Sequence, residues 1–418
     1  MTTIAPFKAL RPRPELAKQV ASKPYDVLSS REAKEEAAGN SYSFLHITKS
    51  EIDLPENTDV HDTEVYNKAK ENLSAFMQRD ILFRENKACY YIYQLTMNGN
   101  SQTGLVCTSS VDDYENDIIK KHEFTRPEKE QDRINHIRIS GAQTGNVFLA
   151  YRNVEEMDVL IEDWKATHDP VYNFVAEDDV THTIWIINND DKIAAISHLF
   201  SEKVPCTYIA DGHHRAASAA KVRAHKNEQG NTQRQDSNAD NNANFFLTTL
   251  FPSNQLRIMD YNRVVKDLNG LSEDEFIKAI GDKFEITAAD AQVSPSGLHE
   301  FGMFLAGKWY KLTSKPGTFT GDPIGVLDVT ILSDNLLDPI LGIKDQRTDT
   351  RIDFVGGIRG LAELEKRVDG GEAALAISIY PVSIDQLLAV ADSGEVMPPK
   401  STWFEPKLRD GLLTHLID

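Results

Sequence analysis

The run Ile209-Ala210-Asp211-Gly212-His213-His214-Arg215, continuing into Ala216-Ala217-Ser218-Ala219-Ala220, constrains this chain more than any other stretch. It reads as an apolar strand, a glycine turn and the start of an alanine-rich helix. The first N–H groups of a helix lack intrahelical acceptors, and the helix dipole adds partial positive charge, so an anion is favoured there. Gly212 permits close backbone approach, while His213, His214 and Arg215 add donors. Arg215 could grip phosphate oxygens in a fork. Asp211 could hold Mg²⁺ or cap the helix. A capped helix start with two incidental histidines is the plainer alternative, but four polar groups crowded beside a buried strand are hard to explain as packing.

Three further segments carry chemistry. Val396-Met397-Pro398-Pro399-Lys400-Ser401-Thr402-Trp403-Phe404 is a proline-stiffened loop that delivers Lys400, Ser401 and Thr402. Lysine with adjacent hydroxyls suits phosphate, although the glycines of a P-loop are missing and a surface loop explains it equally well. His122-Glu123-Phe124-Thr125-Arg126-Pro127, then Asp132-Arg133 and His136, sets acidic and basic groups at helical spacing, where they either face one site or line an exposed helix. In Ala21-Ser22-Lys23-Pro24-Tyr25-Asp26-Val27, Asp26 is an acid beside a fixed turn, or simply its cap. His122, His136, His213 and His214 raise the question of zinc, but neither HExxH nor paired CxxC occurs.

The remaining pattern is mixed. A helix is predicted from about Glu64 to Arg79, with Val65, Ala69, Leu73 and Phe76 at helical spacing. Lys87–Met97 and Thr103–Thr108 read as strands joined by the Asn98-Gly99 turn. A charged helical segment is predicted from Asp112 to about Asn135. Strands follow at Asn146–Tyr151, Thr181–Ile187 and Val204–Ala210. Phe245–Phe251 and Leu256–Met259 read as a strand pair around Pro252–Asn254, and Lys308–Leu312 as a strand. Near the C-terminus come a strand (ALAISIY) and a helix (IDQLLAVAD). Asn227–Asn244 has almost no apolar residue and reads as a mobile surface loop. The fold class is α+β, or mixed α/β.

Charge narrows the partners. Among 418 residues, 64 Asp and Glu against 45 Lys and Arg give a net charge of −19, which repels phosphate backbones and anionic lipids. A small-molecule substrate is expected, with no nucleic acid and no membrane. Cys89, Cys107 and Cys206 are too widely spaced for a disulfide framework or a CxxC site, so free thiols and a cytoplasmic location are expected.

VASKPYDVL, HEFTRPEKEQDRINH, YIADGHHRAASAA, DYNRVV and MPPKSTWFEPKL together resemble the family called domain of unknown function 1015. Its DGHHR core is similar to the phosphate-binding motif of the ParB/sulfiredoxin superfamily, and free-serine kinases of that superfamily look like the nearest chemistry. The resemblance implies a ParB/sulfiredoxin-like core over residues 111–268, an N-terminal α/β region over 1–110 that contributes to the site, and a C-terminal α/β region over 269–418 with the MPPKST loop. It implies transfer of a phosphoryl group from ATP, ADP or pyrophosphate, with Mg²⁺, to a free hydroxyl such as that of L-serine. Gly212, His214, Arg215, Lys400, Ser401 and Thr402 would bind phosphate, Asp211 would hold the metal, and His213 would join the catalytic groups. A separate carboxylate would activate the hydroxyl, with Asp26 and Glu123 as candidates. The chain departs from the family pattern at Ala216, where tyrosine is usual, at DYNR, and in the insertion Asn227–Asn244. A non-catalytic nucleotide or phosphometabolite sensor would use the same pocket. A ParB-like nuclease fits poorly with the acidic charge.

Overall fold

A computed structural model describes residues 1–230 and 242–417, which fall into two compact units. One comprises Met1–Leu256 together with Pro406–Asp418, and the other Arg257–Glu405. The divisions expected after residues 110 and 268 fall, respectively, at the end of strand Asn100–Ser110 and between strand Tyr261–Val265 and helix Glu273–Ile280. The fold is mixed α+β.

In the first unit, nine strands of the described residues form a mixed sheet. From one edge the order is Ile119–Lys120, Thr207–Asp211, Val147–Tyr151, Phe245–Pro252, Asn100–Ser110, Tyr90–Met97, Thr181–Ile187 and Tyr172–Val175, with Ile4–Ala5 also pairing Asn100–Ser110. Both faces are covered, so the strands read as nearly continuous apolar runs. Tyr90 and Ile92 join the core formed with Leu105, Leu149, Ile209 and Phe200. The alternate residues Tyr91 and Tyr93 turn the other way, Tyr93 Oη lying 2.8 Å from buried His182 Nδ1. The hairpin forms where expected because Asn98 (φ 51°) and Gly99 (φ 77°) both take the left-handed backbone its two-residue turn requires.

Helix Thr63–Gln78 is capped by Asp62, whose carboxylate accepts from the Glu64 N–H. Helix His213–Gly230 lays Ala216, Ala219 and Ala220 on the sheet core, their small side chains allowing close approach. The part of the Asn227–Asn244 insertion from 231 to 241 lies outside the described residues.

Two sequence expectations are corrected. The segment Asp112–Asn135 is not one helix: a short helix Val111–Glu115 ends, strand Ile119–Lys120 intervenes, and a second helix spans Pro127–Ser140. Asp117 takes φ 58° just beyond the first helix, and Pro127 sets the start of the second, since it biases Arg126 away from helical backbone and suits the first helical position. Leu256–Met259 does not pair with Phe245–Phe251; Ile258–Met259 instead pairs with Trp403–Phe404. The long strand takes its partners from Val147–Tyr151 and Asn100–Ser110, which bury it on both edges.

The second unit is built on a six-stranded antiparallel sheet ordered Phe284–Ala289, Lys308–Ser314, Glu300–Leu305, Leu375–Ile379, Tyr261–Val265 and Ile352–Gly356. Helix Leu361–Asp369 packs Leu364 onto Val264, Phe304 and Ala376. Helix Ile384–Ser393 begins with a capping box between Ser383 and Gln386. All three cysteines are free thiols. No helix of the described residues is long and apolar enough to cross a membrane.

One packing constraint in the first sheet is sharply testable. A Cβ at Gly104 would lie 2.8 Å from both Phe251 Cζ and Thr249 Cγ2. Gly104→Ala is therefore expected to destabilise the chain by about 1–3 kcal/mol through overpacking. Denaturant unfolding checks this, and an unchanged midpoint would contradict it.

Candidate active site

The strand Thr207–Asp211 loses register against Val147–Tyr151 between Ile209 and Asp211. Such a bulge re-aims the side chain that follows it, here Asp211. Gly212 then takes φ +100°, a conformation that L side chains rarely adopt. The helix starts at His213, so the N–H groups of its first turn have no acceptor within the helix.

Arg215, in that first turn, ties the surroundings together. Its Nη1 donates to the Asn146 carbonyl, and its Nη2 lies 3.2 Å from Asp26 Oδ2 and 3.5 Å from Asp211 Oδ1. Its side chain is 10% exposed, and a Cβ on Gly212 would sit 3.2 Å from its Cζ and Nε. Burial opposes the guanidinium charge, but Asp26 and Asp211 outweigh it and hold the group firmly charged. Burial likewise disfavours the Asp211 carboxylate, yet Lys407 and Arg215 keep it well below the usual carboxylate range. Lys407 Nζ donates to Asp211 Oδ2 at 3.1 Å.

The two histidines hold the preceding loop. His213 Nε2 accepts from the His122 backbone N–H at 3.4 Å, and His214 Nε2 accepts from the Arg126 N–H at 2.9 Å. Burial, with His122 next, pushes His213 well below its ordinary value, and burial also lowers His214. A neutral His213 that accepts at Nε2 carries its proton on Nδ1, the nitrogen 3.8 Å from Glu123 Oε2. The His122 ring meets that of His213 edge-on with centroids 4.6 Å apart, and burial lowers His122 to about 4.

Asp26, Glu123, Asp211, Gly212, His213, His214 and Arg215 are thus gathered around one helix start. Lys400, Ser401 and Thr402 belong to the second unit. There Lys400 adopts φ 59° with Nζ 5.7 Å from the Tyr261 ring centroid, and Ser401 Oγ donates to the Pro398 carbonyl at 2.6 Å. His136 stands apart from the other histidines, its Nε2 3.0 Å from the Ile47 carbonyl oxygen. Among the described residues no group of three or more His, Cys, Asp or Glu side chains could hold a metal ion. Of the carboxylates at the helix start, Asp211 faces Lys407 and Arg215, Asp26 faces Arg215 and Glu123 faces His213. The donor set does not fit a resident metal.

Arg133, which the helical spacing groups with Asp132 and His136, is buried, with its Cζ 3.9 Å from the Tyr25 ring centroid. Sequence reasoning missed three residues here. Asn146 supplies the carbonyl that anchors Arg215. Lys407 and Asp410 arrive from the C-terminal segment. Lys407 sits inside the motif-bearing run MPPKSTWFEPKL, a signal that could have flagged it, whereas Asp410-Gly411 reads only as a turn.

Two clefts flank Arg133. One is bordered by Tyr25, Arg133, His136, Gly145 and Arg215. The other is bordered by Tyr25, Lys49, Glu51, Tyr66, Asp132 and Arg133. Near the helix start, Arg215 Nε, His122 Nδ1 and Asp410 Oδ2 are buried without a hydrogen-bond partner among the described residues. Native proteins satisfy such atoms with ordered water or ligand.

A family model described as "Protein of unknown function (DUF1015)" matches residues 4–330. No curated protein matches. Among solved structures, the chain is similar to a conserved hypothetical protein from Pyrococcus furiosus, at TM-score 0.35 and 13% identity over 74% of this chain and 94% of that one. It is also similar to a free serine kinase in complex with AMP, at TM-score 0.36 and 12% identity over 74% and 91%. A third is SbnI with a C-terminal truncation from Staphylococcus aureus, at TM-score 0.39 and 10% identity over 74% and 87%.

The buried carboxyl of Asp410 makes stability depend on pH. Burial raises it to about 8, with Arg215 and Arg133 opposing and Asp26 reinforcing the shift. The folded chain therefore keeps a proton that the unfolded chain releases near its ordinary value of about 4. The associated stability is full below about pH 4 and is lost as pH rises through about 8. Asp410→Asn removes that term, whereas Asp328 in the second unit, raised by burial to about 7, retains one of the same sign. Calorimetry should show a smaller fall in melting temperature between mildly acidic and mildly alkaline pH for Asp410→Asn than for the wild type. An unchanged slope would count against it.

Proposed function

The chain belongs to the DUF1015 family of proteins of unknown function, and we propose that it is a phosphotransferase. In this reading it moves a phosphoryl group from ATP, ADP or pyrophosphate to a free hydroxyl, that of L-serine first among acceptors. The reaction class comes from the sequence resemblance of the DGHHR segment to free-serine kinases. One observation carries it to this chain: Asp26, 189 residues earlier in sequence, lies 3.2 Å from Arg215 in the first turn of the anion-favouring helix. A proton acceptor and an anion site thus stand side by side within one unit.

Phosphoryl transfer asks chiefly for positioning and charge neutralisation. The donor's terminal phosphate would lie against the first-turn amides of the DGHHR helix, where Gly212 leaves the backbone open. The acceptor oxygen attacks phosphorus, the bond from phosphorus to the leaving oxygen breaks, and the acceptor proton passes to Asp26. Arg215 fixes the Asp26 carboxylate. Glu123 faces His213 Nδ1 and orients its ring, and is the second candidate for the base. His213 and His214, neutral and accepting at Nε2, hold the 122–126 loop against the helix. The cleft bordered by Tyr25, Gly145 and Arg215 lies on the side of Arg215 from which an acceptor would approach. Mg²⁺ would come bound to the donor, as an ion that keeps most of its waters. Lys400, Ser401 and Thr402 remain candidate phosphate contacts through their chemistry alone.

The test is direct. The pure protein is incubated with L-serine, Mg²⁺ and each donor in turn, and O-phosphoserine is sought by ³¹P NMR. Product with one donor is expected. Asp26→Asn should lower turnover about 10²–10⁴-fold while the donor still binds. Absence of product, with a donor-dependent rise in melting temperature, would favour the sensor or another acceptor.

A further inference from the structure

We propose that Lys407 is the side-chain cation that meets the donor's phosphates, and that Arg215 is a positioning residue instead. The inference rests on the phosphotransferase reading and assigns its phosphate contact to a residue beyond the stretch 4–330 matched by the family model.

Arg215 is poorly placed to take a phosphate. Its two terminal nitrogens are committed to the Asn146 carbonyl, Asp26 and Asp211. Its remaining nitrogen, Nε, is buried beneath Gly212, within 3.2 Å of where a Cβ would stand. Meeting a phosphate through the fork would mean releasing a backbone carbonyl and two carboxylates from a guanidinium that is nearly enclosed. Lys407 differs in exposure and in the shape of its charged group. Its side chain is 20% exposed, against 10% for Arg215. An ammonium on a flexible stem is a point charge with three donors, and it exchanges one oxygen partner for another more readily than a rigid fork does. Its Nζ lies 3.1 Å from Asp211 Oδ2, and Asp211 is two residues before the first residue of the helix. The charge therefore stands at the mouth of the amide cluster.

The segment that carries Lys407 has a fixed path. Asp410 and Ser22 exchange backbone hydrogen bonds of 3.1 and 2.9 Å, as do Thr414 and Leu10 at 2.9 Å each. His415 pairs with Gln143, and the Ile417 N–H reaches the Gly141 carbonyl at 3.0 Å. Arg409, two residues on from Lys407, binds Asp178 at 2.5 Å and donates its backbone N–H to Tyr93 Oη at 3.2 Å. Lys407 is thus set against Asp211 by the same strand-like pairing that closes the first unit.

The experiment is calorimetric titration of the full-length chain with pyrophosphate in the presence of EDTA, with melting temperatures recorded alongside. Lys407→Ala is expected to bind about ten- to a hundredfold more weakly than wild type, the loss of one charge-assisted hydrogen bond. The double variant Lys407→Met with Asp211→Asn, which removes both members of the Lys407–Asp211 pair, should bind no better than Lys407→Ala. Affinity of Lys407→Ala within about threefold of wild type overturns the assignment. Recovery in the double variant also overturns it, because the lysine would then act only by neutralising Asp211. A wild-type chain that binds none of pyrophosphate, ADP and ATP overturns the phosphate reading itself, a result distinguishable from either.

Discussion

A buried arginine organises this site. Enclosing a guanidinium is unfavourable unless its charge and donors are met, and leaving one partner of such a group unpaired costs roughly 3–5 kcal/mol. Arg215 meets that demand with three parts of the chain: Asp26 of the N-terminal segment, Asn146 at the head of strand Val147–Tyr151, and Asp211 at the end of its own strand. The packing of the first unit around the DGHHR helix is thereby tied to all three. Gly212 is glycine for the same reason, since it combines a positive φ with the closeness of Arg215 beneath it. The motif is therefore a structural device first, since its arginine, its glycine and its aspartate are all committed to holding the helix start in place.

The histidines follow a similar logic. Two adjacent imidazoles beside an anion-favouring helix look like cationic donors, but burial keeps both neutral and each accepts a backbone N–H from the loop 122–126. The formal charges at the helix start are then Lys407 and Arg215 against Asp26, Asp211 and Glu123, with the first-turn amides adding the partial positive charge of the helix itself.

What could be read from sequence was what short-range patterns encode. The Asn98-Gly99 hairpin, the helix Thr63–Gln78 and the strand–glycine–helix turn at Asp211-Gly212-His213 depend on a few adjacent residues, and each forms. The failures were of two kinds. Asp112–Asn135 was read by its charge pattern alone, and the conformational veto of Pro127 was overlooked. Leu256–Met259 was assigned to its neighbour in sequence, although Ile258–Met259 finds its partner at Trp403–Phe404. The same gap hid half of the site's ion pairs. Nothing near Asp211 announces Lys407, which is 196 residues away, and nothing near Arg215 announces that its fork is already occupied.

That separation bears on how the site comes to exist. The first unit is discontinuous: the chain leaves it at Leu256, builds the second unit, and returns at Pro406. The closing segment buries Leu408, Leu412 and Leu413 and pairs with Leu10, Ser22 and Gln143, all near the N-terminus or the start of the sheet. Closing so long a loop is entropically unfavourable, but the increment grows only logarithmically with length, and a folded second unit shortens the effective loop further. Asp211 would be left with Arg215 as its one cation until that return is complete. A site whose ion pairs include a residue from the returning segment reaches its charge balance only when that segment has folded back onto the first unit.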